Sequence, residues 1–523
     1  MRFPKWQRHF GNWYQSIAIT IKNIEITQLI MSNSEDSLNL SQYDLTQAKL
    51  TFGEKMAYGA GDLGTAITTN LLSFFLLFFF TNVAGLDPAL AGLVLLIGKI
   101  FDAINDPIIG VLSDRTQSKM GRRLPWMLYA AIPFGLSFFA QWLVPSTDKT
   151  VLFWYYAIVG IVFNTFFTAV NLPYTALTPE ITQDYNERTS LNTFRFTFSI
   201  GGSILSLFIA QLIFAFFKDP ARQTGSCNAG GTQYIVLGAV CALISCISIY
   251  WCVWGIKKRA IAGDRHRLHN ASLDATPEEM SFGEQLKVVF SNRPFLFVIG
   301  IYFCSWLALQ ITASIIPYFV VNWMKMQEND FILVTIAVQG TALVMLSVWS
   351  AVSKRFGKKA AYFMGSGIWI AAQAGLFFLQ PGQVTMLYIL AIMAGAGVST
   401  AYLIPWSMIP DVTDLDELET GQRREGIFYA FMVLLQKFGL AGGLFLLGLG
   451  LSWAKFKESV PCQPLPVQPD SALSAIRIAI GPLPTIALVI GLALAYFYPI
   501  TREVHTEILM RLSERRRQQN EQS

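Results

Sequence analysis

Lys99, Asp102 and Asp106 stand at i, i+3 and i+7 within Lys99-Ile100-Phe101-Asp102-Ala103-Ile104-Asn105-Asp106-Pro107. On a helix this spacing puts all three on one face. Two carboxylates one turn apart, with the Asn105 amide nearby, gather several oxygens. A hard cation such as sodium wants oxygen ligands, so Asp102 and Asp106 are candidate metal ligands. The same pair could instead share a proton, because close carboxylates resist double ionisation. Lys99 would moderate their repulsion in the empty site. A plain ion-paired helix contact is the other reading, although two acids and one base leave one acid in excess.

Three more charges fall inside apolar stretches: Asp62, Arg195 and Lys437. A charge at the centre of a bilayer costs roughly 2.5–3.5 kcal/mol, so such residues face a cavity and have partners. With the helix-face triplet the formal charges cancel, three against three. Arg195 and Lys437 could pair with Asp102 or Asp106 and release them on cation binding, or hold an anionic solute. Snorkelling to the nearest interface is the blander alternative. Asp62, in Gly59-Ala60-Gly61-Asp62-Leu63-Gly64, lines a cavity or only orders a Gly-rich helix. Asn70, Thr168, Asn171 and Gln310 are polar enough to line the same cavity, although lone amides and hydroxyls on membrane helices often bond another helix.

These residues need a membrane scaffold. Of 523 residues, 53% are hydrophobic and only 14% charged, with 40 Phe and 13 Trp. Soluble domains carry about a quarter charged residues. The net charge of +5 requires no nucleic acid, since membrane proteins concentrate Lys and Arg in their cytoplasmic loops. No phosphate loop, zinc spacing or nucleophile elbow is present, so no enzyme activity and no cofactor are expected. Four His make His-based metal chemistry a poor prospect.

A spanning helix needs about 20 apolar residues. Twelve such segments are predicted, at 55–83, 88–112, 126–144, 150–176, 190–217, 234–255, 294–323, 331–352, 360–379, 384–408, 426–451 and 476–498. The chain therefore divides into a cytoplasmic N-terminal segment at 1–52, a six-helix half at 53–255, a polar linker at 256–293, a second six-helix half at 294–500 and a basic tail at 501–523. The linker holds an amphipathic stretch from Met280 to Phe290, and the tail is expected to be solvated. No cleavable signal opens the chain, because Lys22 and Glu25 follow a short apolar run. Residues 1–30 form an interfacial helix or lie upstream of a start at Met31, and the later start is the expectation.

The loops after the even-numbered segments hold Arg115, Lys119, Arg122, Arg123, Arg188, Lys354, Arg355, Lys358, Lys359, Arg423 and Arg424, while the opposite loops are poor in bases. The richer side is expected to be cytoplasmic, with both termini on it, in a plasma or bacterial inner membrane. Asp114 and Arg115, followed by Arg122 and Arg123, would make a latch there that gating must break. A simple positive loop is the alternative. The acidic run Asp411, Asp414, Asp416, Glu417 and Glu419 reads as a second latch or a solvated loop.

The chain repeats itself. Leu172-Pro173-Tyr174-Thr175-Ala176-Leu177-Thr178-Pro179-Glu180 closes the fourth segment, and Ile404-Pro405-Trp406-Ser407-Met408-Ile409-Pro410-Asp411 closes the tenth. Gly121-Arg122-Arg123 answers Gly357-Lys358-Lys359. Six-plus-six parallel repeats around a cavity are the architecture of the major facilitator carriers. The expected fold is an all-α membrane protein of twelve transmembrane helices in two six-helix halves.

The motif Asp102-Ala103-Ile104-Asn105-Asp106-Pro107, with Gly121-Arg122-Arg123-Leu124-Pro125-Trp126, Glu187-Arg188 leading to Arg195, and Arg423-Arg424-Glu425-Gly426 leading to Lys437, resembles the glycoside–pentoside–hexuronide:cation symporters, the sodium:galactoside symporter family of melibiose carriers. The resemblance implies sodium- or proton-coupled uptake of a small organic solute by alternating access. It implies a cation site at Asp102, Asn105, Asp106 and Thr168 and a substrate cavity that includes Asp62, Thr65, Asn171, Arg195, Tyr402 and Lys437. Melibiose carriers have a Lys-Asp pair where this chain has Thr65-Ala66, an Asp where it has Asn171 and a cavity Trp where it has Tyr402. Galactoside recognition is therefore less well supported than cation coupling. The sodium-dependent lysophospholipid transporters resemble the same pattern and supply the alternative substrate. A sensor or scaffold that has kept the fold is the alternative of another class. The expected partners are solute, monovalent cation and bilayer, and a single chain is expected to suffice.

Of six cysteines, Cys227 and Cys462 alone fall in predicted loops, both on the side opposite the basic loops. The lysophospholipid transporters resemble this chain in linking those two loops. A disulfide between Cys227 and Cys462 is therefore expected, two unpaired thiols being the alternative.

Overall fold

The computed structural model describes residues 49–182, 184–217, 231–271, 282–421, 424–458 and 466–522. Every regular element among them is helical. Helix α1 (Phe52–Asn82) begins at a reciprocal cap, in which Thr51 Oγ1 accepts from Glu54 N and Glu54 accepts from Thr51 N. Asp87 caps α2 (Pro88–Arg115), with Pro88 in its first turn, where a missing N–H costs nothing. Then come α3 (Leu124–Ala140), α4 (Lys149–Ile181), α5 (Tyr185–Phe216) and α6 (Thr232–Ala271). A short amphipathic helix, α7 (Phe282–Ser291), precedes the second half. That half contains α8 (Arg293–Trp323), α9 (Glu328–Phe356), α10 (Lys358–Phe378), α11 (Val384–Thr420), α12 (Glu425–Trp453) and α13 (Asp470–Phe497), followed by α14 (Arg502–Gln522).

Among the described residues eleven helices are long and apolar enough to cross a membrane, and α3, shorter but apolar, completes the twelve. The outer faces carry apolar side chains such as Tyr129, Leu212, Phe216, Val344 and Trp453, which suits lipid as solvent. In the first half α1 packs on α5 and α6, and α4 packs on α2 and α3. The second half repeats this, α8 on α12 and α13 and α11 on α9 and α10. Between halves the pairs are reciprocal, α2 on α12 and α5 on α9. At the first of these Gly92 meets Gly448, and a Cβ on Gly448 would lie 2.3 Å from the Pro88 carbonyl oxygen. Only glycine permits that approach.

Three boundaries differ from the sequence reading. Helix α6 continues to Ala271, well into the predicted linker. The acidic run is not a loop, because α11 extends through it to Thr420 before Gly421 ends the helix with φ +74°. The tail is not freely solvated, because α14 buries Ile508 and Leu512 against the second half. Cys227 and Cys462 lie outside the described residues.

The polar bonds that join the halves run from mid-depth to the end opposite the basic loops. A π turn at Leu72–Leu76 in α1 widens the helix, and the Ser73 carbonyl accepts from Gln310 Nε2 at 3.3 Å and Ser314 Oγ at 3.0 Å. Tyr318 OH bonds the Leu77 carbonyl and Thr81, and Gln339 Nε2 donates to Asn70 Oδ1 at 3.2 Å. At the far surface Lys149 pairs with Glu458, and Gln233 with Glu328. At the basic end each ion pair among the described residues stays within one half. The halves thus close on each other away from the basic end.

Candidate functional site

Asp102 and Asp106 project from the middle of α2 toward α4 and α12. Asp102 is fully buried. Thr168 Oγ1 on α4 stands 2.9 Å from Asp102 Oδ1 and 3.2 Å from Asp106 Oδ1, so one hydroxyl ties the two acids together. Across the interface, Lys437 Nζ on α12 lies 3.1 Å from Asp102 Oδ2 and donates to Asp106 Oδ2 at 2.6 Å. Lys99 Nζ is 3.5 Å from Asp102 Oδ2 and hydrogen-bonds Asn164 Oδ1 at 3.2 Å. Asp102 Oδ2 thus faces both ammonium groups, Lys437 at 3.1 Å and Lys99 at 3.5 Å.

The cluster has two acids and two bases and is neutral. A monovalent cation bound by these oxygens would have to compete with the Lys437 ammonium for them. Asn105 does not turn toward the pair through its amide nitrogen, which donates to Thr165 Oγ1 at 2.8 Å. Asn164 and Thr165 were not singled out from the sequence. The one-turn spacing of Asn164 from Thr168 was the available signal. The repeat has no second copy of this site, since the register set by Gly121 and Gly357 puts the apolar Val338 and Ala342 at the matching places on α9.

Arg195 takes a different partner from the acids of α2. Its Nε lies 3.3 Å from Asp62 Oδ2, and its guanidinium sits over the Tyr174 ring at 5.7 Å. Thr65 Oγ1 donates to Asp62 Oδ1 at 3.1 Å. Buried Asp62 and Thr65 and half-buried Arg195 thus form a second polar group, wholly within the first half. Asn171 is half-buried on α4. Asn70 and Gln310 bond other helices, as lone amides in membranes commonly do.

The second half answers with aromatic rings. Tyr302 OH donates to Gln436 Oε1 at 2.9 Å and accepts from Trp406 Nε1 at 2.8 Å. Trp406 stacks on Tyr429, and Trp306 meets Tyr402 edge-on at 5.6 Å. Gln436 precedes Lys437, so this aromatic group adjoins the ion bridge in sequence and on α12.

At the basic end Arg122 is buried and binds Asp114 at 3.0 Å, Glu180 at 3.1 Å through Nε and Asp264 at 3.5 Å. Arg123 joins Asp114 and Glu180. Arg115 stands exposed outside this cluster. Glu180 and Asp264 are the partners that sequence reading did not assign. Glu180 lies in the repeated Pro-acid step, which also gives Pro410-Asp411.

The family described as "MFS/sugar transport protein" matches residues 57–502. The chain belongs to this family. A Synechocystis protein named an uncharacterized symporter is 52% identical over 91% of this chain and 99% of its own. A Danio rerio protein named a sodium-dependent lysophosphatidylcholine symporter is 28% identical over 91% of this chain and 90% of its own. Among solved structures, a D-xylose-proton symporter superposes with a TM-score of 0.59 at 16% identity, covering 86% of this chain and 97% of its own. That likeness supports the major facilitator fold. The chain is a multi-pass membrane transport protein, and its relatives support secondary transport.

Proposed function

We propose that this transporter is a symporter that couples entry of sodium, or a proton, to uptake of an organic solute by alternating access. The observation that carries the reading is the Lys437 ammonium bridging Asp102 and Asp106 from the opposite half. A cation bound to the carboxylates displaces the ammonium and unfastens the halves at mid-depth. Thr168 supplies a further oxygen ligand, and Lys99 keeps the pair from carrying a full double charge. With the basic end cytoplasmic by the positive-inside rule, closure of the far end makes this the inward-facing state. Sodium alone provides the first test. Equilibrium binding of radioactive sodium to purified protein should saturate, and Asp102→Asn should abolish it. Proton coupling predicts instead proton uptake on solute addition. Absence of both responses would overturn the reading.

The solute belongs to one of two classes. A glycoside, pentoside or hexuronide fits the family description and the paired Asp62 and Arg195, which offer an acceptor and a donor to hydroxyls or a carboxylate. A lysophospholipid is favoured by the names of relatives such as the Danio rerio symporter, and by the aromatic group around Trp406, which suits an amphiphile better than a polar ring. Cation-driven uptake in proteoliposomes of a hexuronide, a pentoside and a lysophosphatidylcholine, one at a time, separates the classes.

A further inference from the structure

Lys437 and the residue before it face two different groups. Successive side chains on a helix point roughly 100° apart. From α12, Lys437 reaches across the interface to Asp102 and Asp106 on α2. Gln436 turns into its own half instead, where its Oε1 accepts from Tyr302 OH on α8 at 2.9 Å. Tyr302 is fully buried, and its oxygen accepts from Trp406 Nε1 on α11 at 2.8 Å. Chemistry sets the direction of this chain. An indole N–H can only donate, so the phenol accepts from it and has its own proton for a second partner. Gln436 supplies that acceptor. Tyr429, two turns before Gln436 on the same face of α12, stacks on Trp406 at 5.8 Å. Close packing joins α12 to α8 beside this chain. A Cβ on Gly439 would lie 3.4 Å from the Phe303 carbonyl oxygen, and one on Gly443 would lie 3.1 Å from Gln310 Cβ.

We propose that Gln436 is a positioning residue that carries sodium binding to the solute cavity, an inference that rests on the cation site proposed above and names the path leading from it. In the bridged state the ammonium holds α12 against α2, while the amide holds phenol and indole in line. When sodium takes the carboxylate oxygens, the ammonium leaves them and α12 loses this anchor in the other half. The Gln436 amide, one residue away, moves with the helix. Tyr302 follows the acceptor of its proton, and Trp406 follows the acceptor of its own. The aromatic wall that meets the solute is thus different with sodium bound. A solute that prefers this wall strengthens sodium binding in return, because coupling between two ligands is reciprocal.

Fluorine NMR of the full-length protein, labelled with 5-fluorotryptophan and held in nanodiscs, reads the indole directly. The Trp406 signal is the one missing from Trp406→Phe. Sodium replaces choline at constant ionic strength, and binding of radioactive sodium is measured on the same samples. In the wild type the Trp406 signal should shift in step with sodium occupancy. Gln436→Leu should still bind sodium and lose the shift. Tyr302→Phe, which cuts the chain at the phenol, should do the same. Lys437→Ala should bind sodium without the shift, because no ammonium is released; a shift kept there would come from the field of the ion and would overturn the proposal. A role in packing alone would move the sodium-free signal of Gln436→Leu and leave its sodium response intact, which would also overturn it. A wild-type Trp406 signal that ignores bound sodium would remove this path and leave the cation site standing. Absence of sodium binding by the wild type would remove both.

Discussion

Lys437→Ala should tighten sodium binding while abolishing coupled uptake. The ammonium stands 3.1 Å from Asp102 and 2.6 Å from Asp106. At an effective dielectric near 20 each contact is worth roughly 5–6 kcal/mol of Coulomb attraction, much of it offset by desolvation. Removing one partner of such a buried arrangement costs about 3–5 kcal/mol, because a charge is left uncompensated. Lys99 and the two acids then carry a net negative charge. An entering sodium ion restores neutrality and meets no competitor, so its affinity should rise about 10- to 100-fold, equivalent to roughly 1.4–2.8 kcal/mol. The assay is the melting temperature in choline buffer titrated with sodium. The variant should melt below the wild type without sodium and gain more on addition. In proteoliposomes a sodium gradient should no longer drive uptake, because the cation has no bridge to release. Unchanged sodium affinity together with sodium-driven uptake would refute the argument.

Asp102→Asn and Asp106→Asn should each insert normally and lose the cation dependence of uptake, and a double variant with wild-type dependence would remove the pair from the mechanism. Gly448→Val should wedge α12 from the Pro88 carbonyl, costing about 1–3 kcal/mol. It should also expose the far end, read as faster alkylation of a Ser73→Cys reporter by a membrane-impermeant maleimide; an unchanged rate would show that this contact does not hold the gate. Non-reducing mass spectrometry of the intact protein should find Cys227 joined to Cys462, and free alkylatable thiols at both positions would exclude the bond.

Buried charge made the α2 site legible, since few other reasons justify two acids in an apolar helix. Spacing alone placed Lys99, Asp102 and Asp106 on one face, and the structure brings Thr168 and Lys437 to them. What spacing could not choose was the pairing between helices. The sequence offered Asp102 or Asp106 as partners for Arg195, and the packing of α1 on α5 gives it Asp62 instead. The acidic run left a latch and a solvated loop equally open, because charge density hides the helix that Met408, Val412 and Leu415 continue past the apolar span. The tail concealed its docking in the same way, through Ile508 and Leu512 one turn apart among many polar residues.

The carboxylate pair of α2 has no counterpart at Val338 and Ala342 in the repeat, and under the proposed coupling this bears on the charge moved in each cycle. A cycle that carries one monovalent cation through this site with a neutral or zwitterionic solute moves one elementary charge across the bilayer. A membrane potential of 100 mV then contributes about 2.3 kcal/mol per turnover, in addition to any cation gradient. That alone sustains roughly a 50-fold accumulation of solute, since each 1.4 kcal/mol is tenfold. An anionic solute would cancel the charge and leave the chemical gradient as the sole drive. Current recorded from a single-species liposome layer therefore reports the charge of the solute along with its movement.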